Sequence, residues 1–141
     1  MNEDTLAHVE LFSSLDKREL QTLAKSSQER TYSAGTKLFS QGDSGSGLYI
    51  LKNGKVSITQ TSGQGAEKEI NTAGAGETLG EMALLDDQPR SATVTAVEDV
   101  TALLLPVWEF RGVIKAHPDI ALKLLASLSR RLRKVQGRAA D

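Results

Sequence analysis

The stretch Gly76-Glu77-Thr78-Leu79-Gly80-Glu81-Met82-Ala83-Leu84-Leu85-Asp86-Asp87-Gln88-Pro89-Arg90-Ser91-Ala92-Thr93 decides how this chain reads. Gly80 permits close backbone approach, and Glu81 to Leu85 reads as a single helical turn whose free N–H groups face whatever sits before it. Such an end attracts anions. Ten residues after Gly80 comes Arg90, a planar fork that can grip two oxygens of one phosphate, placed where Pro89 fixes the approach to a strand. Glu81 is the unexpected member. A carboxylate beside a phosphate repels it by about a few kcal/mol in a partly buried site, so a pocket for inorganic phosphate would omit it. A carboxylate only accepts hydrogen bonds, and a sugar hydroxyl next to a cyclic phosphate supplies the matching donor. Acid, base and helix end together describe a sugar phosphate.

Around this stretch, Glu29 to Pro106 is a succession of short apolar runs separated by turn signals at Ala34-Gly35, Gly42-Asp43, Asn53-Gly54, Ser62 to Gly65 and Gly74 to Gly76. That spacing predicts a barrel or sandwich rather than alternating helices and strands. Leu48-Tyr49-Ile50-Leu51 and Val56-Ser57-Ile58 flank Asn53-Gly54, a pair suited to a type I′ turn, and predict a hairpin. Ser91 to Val97 and Thr101 to Leu105 are the last expected strands, and Pro106 ends the β region.

The ends of the chain read as helical. Asp16 followed three residues later by Glu19 is a capping box, with Leu15 and Leu20 at hydrophobic-staple positions, so a helix is expected from Asp16 to about Ser26. Leu6, Val9 and Leu11 suggest a shorter helix ahead of it, joined by a turn at Phe12 to Ser14. Val107 to Ala116 predicts a helix stopped before Pro118. A longer one begins near Pro118 and carries Leu122, Leu125, Leu128 and Leu132 as one apolar stripe. Met82, Leu84 and Leu85 are expected to pack, Tyr49 to sit in a strand core, and Trp108, the single tryptophan, to anchor its helix.

The Gly80 to Ala92 residues are similar to the phosphate-binding cassette of the cyclic-nucleotide-binding domain family, found in catabolite activator proteins, protein kinase A regulatory subunits and nucleotide-gated channels. The resemblance rests on Gly80-Glu81, Ala83-Leu84, Pro89-Arg90 and Ser91-Ala92, supported by Gly42-Asp43 before Tyr49-Ile50-Leu51, by Asn53-Gly54-Lys55-Val56, and by the helices around His117-Pro118. It covers nearly the whole chain. It implies a mainly β fold with flanking helices: a double-stranded β-helix (jelly-roll barrel), N-terminal helices, a short cassette helix and C-terminal helices. The chain would be one domain over residues 1–141, with helices at 1–27, the barrel at 28–106 with its cassette at 76–93, and the final helices at 107–136.

The resemblance also implies a ligand, cAMP or less favourably cGMP, and no further cofactor. Glu81 would bind the ribose 2′-hydroxyl, Arg90 the exocyclic phosphate oxygens, and the amides near Met82, Ala83 and Ser91 the same phosphate. The Ser91 hydroxyl would add a phosphate bond or touch a guanine. Leu79, Gly80, Pro89 and Ala92 complete the expected contact set. The final helix would cover the base. Where catabolite activator proteins carry a Thr-Ser pair late in that helix this chain has Val135 and Gln136, so Arg131, Arg133 or Arg138 is the candidate lid, stacking a cation on the base.

Composition narrows the alternatives. Hydrophobic residues at 39% and charged residues at 25% are ordinary for a folded globular domain and argue against disorder. Zero cysteines exclude disulfides, thiolate metal sites and cysteine nucleophiles, and fit a cytoplasmic protein; His8 and His117 lack metal-ligand spacing. No metal ligands and no catalytic residues are expected, because nothing pairs a nucleophile with a base. The longest apolar run, Thr101 to Trp108, is too short to span a membrane. A net charge of −1 gives no general attraction to nucleic acid, and the basic residues from Lys123 to Arg138 read as a solvated helix face. DNA binding by this chain is not expected, since relatives that bind DNA carry a helix-turn-helix after the long helix. The partners foreseen are the nucleotide and, through the final helix, a second copy or an effector protein. The alternatives are a ligand-free interaction domain in which Glu81 and Arg90 pair with each other, and the effector domain of a longer transcription factor or channel.

Overall fold

The computed structural model describes residues 2–86 and 88–137, and divides into two compact units. One is helical, formed by the chain up to Ser26 and from Trp108 onward; the other, Ser27–Val107, holds the strands.

Eight strands make up the second unit: β1 Gln28–Tyr32, β2 Lys37–Phe39, β3 Gly47–Asn53, β4 Lys55–Thr61, β5 Glu67–Gly74, β6 Thr78–Leu79, β7 Thr93–Ala96 and β8 Val100–Pro106. They form two antiparallel four-stranded sheets, ordered β1-β8-β3-β6 and β2-β7-β4-β5. Tyr49, Leu51, Leu79, Val100, Ala102 and Leu104 of the first sheet meet Leu38, Val56, Ala73, Val94 and Ala96 of the second in one buried core. Leu48, Ile50, Leu103 and Leu105 alternate with those inward residues and are buried as well, which is why β3 and β8 read as unbroken apolar runs instead of alternating ones. The expected mainly β fold is present. The sheets, however, are not closed into the barrel that the sequence suggested.

The reason lies at Asn53-Gly54. β3 pairs with β6 and β8, whereas β4 pairs with β5 and β7, so the predicted hairpin is not a ladder but the point where the chain crosses between sheets. A type I′ turn needs positive φ at both central residues. Of the two turn residues only Gly54, at φ 89°, has it, because among the described residues no residue other than glycine has positive φ. A Cβ at Gly54 would strike the Asp99 carbonyl oxygen and come within 2.8 Å of Val100 Cα. Two apolar runs and a turn pair were legible, but not which partner each strand would take.

In the helical unit, α1 (Asn2–Ala7) is followed by a 3-10 turn at Glu10–Phe12, α2 (Lys17–Lys25), α3 (Val107–Ala116) and α4 (Pro118–Val135). Phe12, expected in a turn, is 1% exposed and stacks on Phe110 with ring centroids 6.5 Å apart. Asp16 caps α2 as the capping box requires: its Oδ1 accepts from Glu19 N and its own N donates to Glu19 Oε1, both at 2.9 Å. The Glu19 amide, and secondarily Lys123, holds the Asp16 carboxyl below its ordinary pKa. The cap therefore contributes fully above the usual aspartate range and is lost as the pH falls through the depressed value.

Two helical expectations need correction. α4 buries Ile120, Leu124 and Ser127, while Leu122, Leu125 and Leu132 are 65%, 61% and 57% exposed. The helix has two apolar faces, and the one richer in leucine is not the one turned inward. Ser127 is satisfied in its buried position by Ser14 Oγ and by Arg130, each at 3.2 Å. Trp108 does not anchor α3 either: it is 61% exposed, and Phe110 and Val113 take the buried face. A Gly54→Ala substitution should lower the unfolding free energy by about 3 kcal/mol, combining left-handed strain with the backbone clash, measured by urea denaturation.

Candidate functional site

The cassette hangs from β6, whose Leu79 and Thr78 pair with Tyr49 and Ile50 of β3. Gly80, at φ 79°, then starts the 3-10 turn Glu81–Leu84, with Ala83 N donating to Gly80 O at 3.0 Å. The predicted helical turn is therefore real, though tighter than an α-turn. Leu84 is buried as expected, whereas Met82 and Leu85 are about 40% exposed and do not serve as core. Asp86 is exposed, and Asp87 lies outside the described residues.

The returning limb is fixed at Arg90. Its N donates to Asp43 O at 2.7 Å and its O accepts from Gly42 N at 2.8 Å, so the Gly42-Asp43 loop acts as a short strand for it. Asp43 Oδ2 accepts from Ser40 N at 2.9 Å, which holds that loop in shape. The Arg90 side chain is 5% exposed. Its Nη2 donates to Gly47 O at 2.6 Å, and its Cζ stands 4.1 Å from the Phe39 ring centroid and 5.7 Å from that of Tyr49. Nε is buried with no hydrogen-bond partner. Burial lowers the guanidinium pKa from its ordinary value, opposed by Tyr49 and Asp43. Beneath it, Phe39 and Tyr49 lie 5.6 Å apart and Tyr49 and Tyr32 6.5 Å. Burial and then Tyr49 push the Tyr32 phenol up to about 12.

Gly80 faces Arg90 so closely that a Cβ there would collide with Nη1 and lie 3.1 Å from Gly47 O. Beside them opens a cavity of about 320 Å³, lined by Phe39, Ile58, Leu79, Gly80, Met82, Ala83, Asp86, Gln88, Pro89, Arg90, Ser91, Ala92 and Val94. Eight of the nine contact residues expected from the sequence thus share one cavity, with the 3-10 turn on one side and the Arg90 limb on the other. Glu81, the ninth, is half-buried at the start of the turn and is not among the lining residues. Phe39, Ile58 and Val94 were not foreseen as site residues. Their only sequence signal is an inward position on short strands, which marks core and pocket wall alike.

The candidate lid residues lie in the helical unit. Arg131 and Arg133 are on α4, and Arg131 Nε is 3.4 Å from Glu10 Oε1; Arg138 lies outside the described residues. Among the described residues no cluster of His, Cys, Asp or Glu could hold a metal ion, and no helix is long and apolar enough to cross a membrane.

The site is a buried cation beside a turn that starts at a glycine, on two open antiparallel sheets. Residues 29–117 match the cyclic nucleotide-binding domain, and the chain belongs to that family. It is 40% identical over 124 residues to the cyclic AMP receptor protein of Thermus thermophilus, a match covering 88% of this chain and 57% of that protein. It is 30% identical over 139 residues to a CRP-like cAMP-activated global transcriptional regulator of Mycobacterium tuberculosis, covering 99% and 62%. This chain therefore spans less than two thirds of the length of either regulator. Among solved structures, the N-terminal domain of a transcriptional regulator from Streptomyces coelicolor superposes with a TM-score of 0.87 at 36% identity, covering 98% of this chain and 99% of that one.

A desolvated guanidinium with an unsatisfied nitrogen is costly to the empty protein. Arg90→Met, which keeps the aliphatic stem and removes the charge, should therefore leave the unliganded chain as stable as wild type or about 1 kcal/mol more stable, read from the urea midpoint.

Proposed function

We propose that this chain binds a cyclic nucleotide, cAMP in preference to cGMP, in the cavity beside Gly80 and Arg90, and acts as a sensor module and not as an enzyme. The observation that carries the reading is the Arg90 side chain, a cavity-lining guanidinium that is almost fully buried and bonded through one nitrogen to a backbone carbonyl. An anion in the cavity would compensate that buried charge, and the cavity is large enough for a nucleotide-sized guest. Two of the relatives are described as a cyclic AMP receptor and a cAMP-activated regulator, which favours adenine.

Within this reading Arg90 takes the exocyclic phosphate oxygens together with the amides of the Met82-Ala83 turn and of Ser91. Glu81 accepts from the ribose 2′-hydroxyl, which requires the sugar to reach past the turn to its first residue. Leu79, Ile58 and Val94 offer the apolar wall for the base. Ligand binding biases two arrangements of the C-terminal helix, which carries the signal onward. The setting is the cytoplasm.

The outward face of α4 supports self-association. Ala121, Leu125, Leu128, Leu132 and Val135 recur at alternating steps of four and three, a coiled-coil seam. Leu125, Leu132 and Val135 are 61%, 57% and 80% exposed in the single chain. We assign this seam to a homodimer, and Leu132→Glu should convert the protein to monomer in sedimentation at micromolar concentration.

The reading is tested by calorimetry and thermal shift with cAMP, cGMP and 5′-AMP. cAMP should bind and raise the melting temperature, and 5′-AMP should do neither, because its phosphate is not a ring diester. Arg90→Ala should weaken cAMP by about 2–3 kcal/mol through loss of a charge-assisted clamp. Glu81→Ala should weaken cAMP more than it weakens the 2′-deoxy analogue. Absence of saturable cAMP and cGMP binding at millimolar concentration would show a ligand-free interaction domain instead.

A further inference from the structure

The Arg90 limb is also held from the side, by β4. Gln60, next to the last residue of β4, donates its side-chain Nε2 to the carbonyl of Ser91 at 3.0 Å. A carbonyl only accepts, so its partner fixes which way the Gln60 amide faces. Gln60 is two residues beyond Ile58 and four beyond Val56, so the three share one face of the strand. Val56 is fully buried and Ile58 lines the cavity, which puts Gln60 at the cavity rim. Among the described residues every peptide bond is trans. Drawing the Ser91 carbonyl toward Gln60 therefore turns the Ala92 N–H the opposite way, and both residues line the cavity.

The neighbouring fastenings belong to the same end of β4. Thr93 Oγ1 accepts from Gln41 N at 2.8 Å, and the Gln41 side-chain amide pairs with both backbone groups of Thr61, at 2.7 and 3.3 Å. Arg90 is held by backbone bonds to residues 42 and 43. Of these, the hold on Ser91 depends on one side chain and can be removed without touching the backbone.

We infer that Gln60 is a positioning residue for the cyclic phosphate: through the Ser91 carbonyl it sets the Ser91–Ala92 peptide, so that the limb presents the Ala92 N–H to the ligand beside Arg90. The inference rests on the binding reading above. Gln60 acts on the phosphate end of the guest and therefore on every cyclic nucleotide alike. It is exposed and its bond holds no core, so removing it affects affinity and leaves the empty fold intact.

Calorimetric titration of wild type, Gln60→Met and Gln60→Lys with cAMP and cGMP tests this, in high salt so that the added lysine charge is screened. Gln60→Met should bind both nucleotides about three- to tenfold more weakly, the size of one net hydrogen bond, with the melting temperature of the empty protein unchanged. Gln60→Lys, which restores a donor able to reach the Ser91 carbonyl, should bind within about twofold of wild type. Wild-type affinity for Gln60→Met, or a Gln60→Lys as weak as Gln60→Met, overturns the inference. So does a loss confined to one nucleotide, which would put Gln60 on the base. If wild type itself binds neither nucleotide, the binding reading falls first and this inference with it; if wild type binds and Gln60→Met is unimpaired, only this inference falls.

Discussion

Everything in the strand unit is arranged to keep one guanidinium out of water. Arg90 sits on an aromatic floor of Phe39 and Tyr49, donates to the Gly47 carbonyl, and has its backbone gripped by the Gly42-Asp43 loop. Each holder comes from a different stretch of chain, so two sheets must assemble before the cation has its place. The aromatic rings recover part of the lost hydration, since a cation over a π face gains about 1 kcal/mol or more when desolvated. The buried charge itself is what a guest anion in the cavity would compensate. Stability of the empty protein and affinity for a ligand are thus set against each other at one side chain.

The reach of the sequence into this arrangement was uneven for physical reasons. Local rules worked where the interaction is local: the Asp16–Glu19 capping box, the end of β8 at Pro106, the start of α4 at Pro118 and the turn after Gly80 all depend on residues within a few positions of each other. The cassette was legible because its glycine, acid, proline and arginine carry distinct chemistry in a fixed order. Strand partnership was not. Nothing in Leu48–Leu51 or Val56–Ile58 says that the two runs belong to different sheets, because pairing is decided by distant strands such as β8 and β7. The same blindness hid Phe39 and Ile58, whose inward positions would suit core packing just as well. On α4, apolar periodicity revealed a stripe without revealing whether it faces the protein or the solvent.

The Glu81 side chain shows where chemistry and geometry diverge. From residue types alone it belongs with Arg90. In the structure Glu81 opens the turn while the cavity is lined by its neighbours on either side, Gly80 and Met82. A phosphate can be taken by the Arg90 limb and the turn amides together; a sugar hydroxyl must extend toward the first residue of the turn to meet the carboxylate.

The solvent exposure of Trp108 has a spectroscopic consequence. As the single indole of the chain it already emits from a largely aqueous environment in the native state, so its fluorescence maximum should change little on unfolding. The tyrosines behave in the opposite way: Tyr32 and Tyr49 are packed edge to face near the guanidinium. The change in near-ultraviolet absorbance at the phenol band, to which an already exposed indole adds little, is thus the intrinsic signal tied to the surroundings of Arg90.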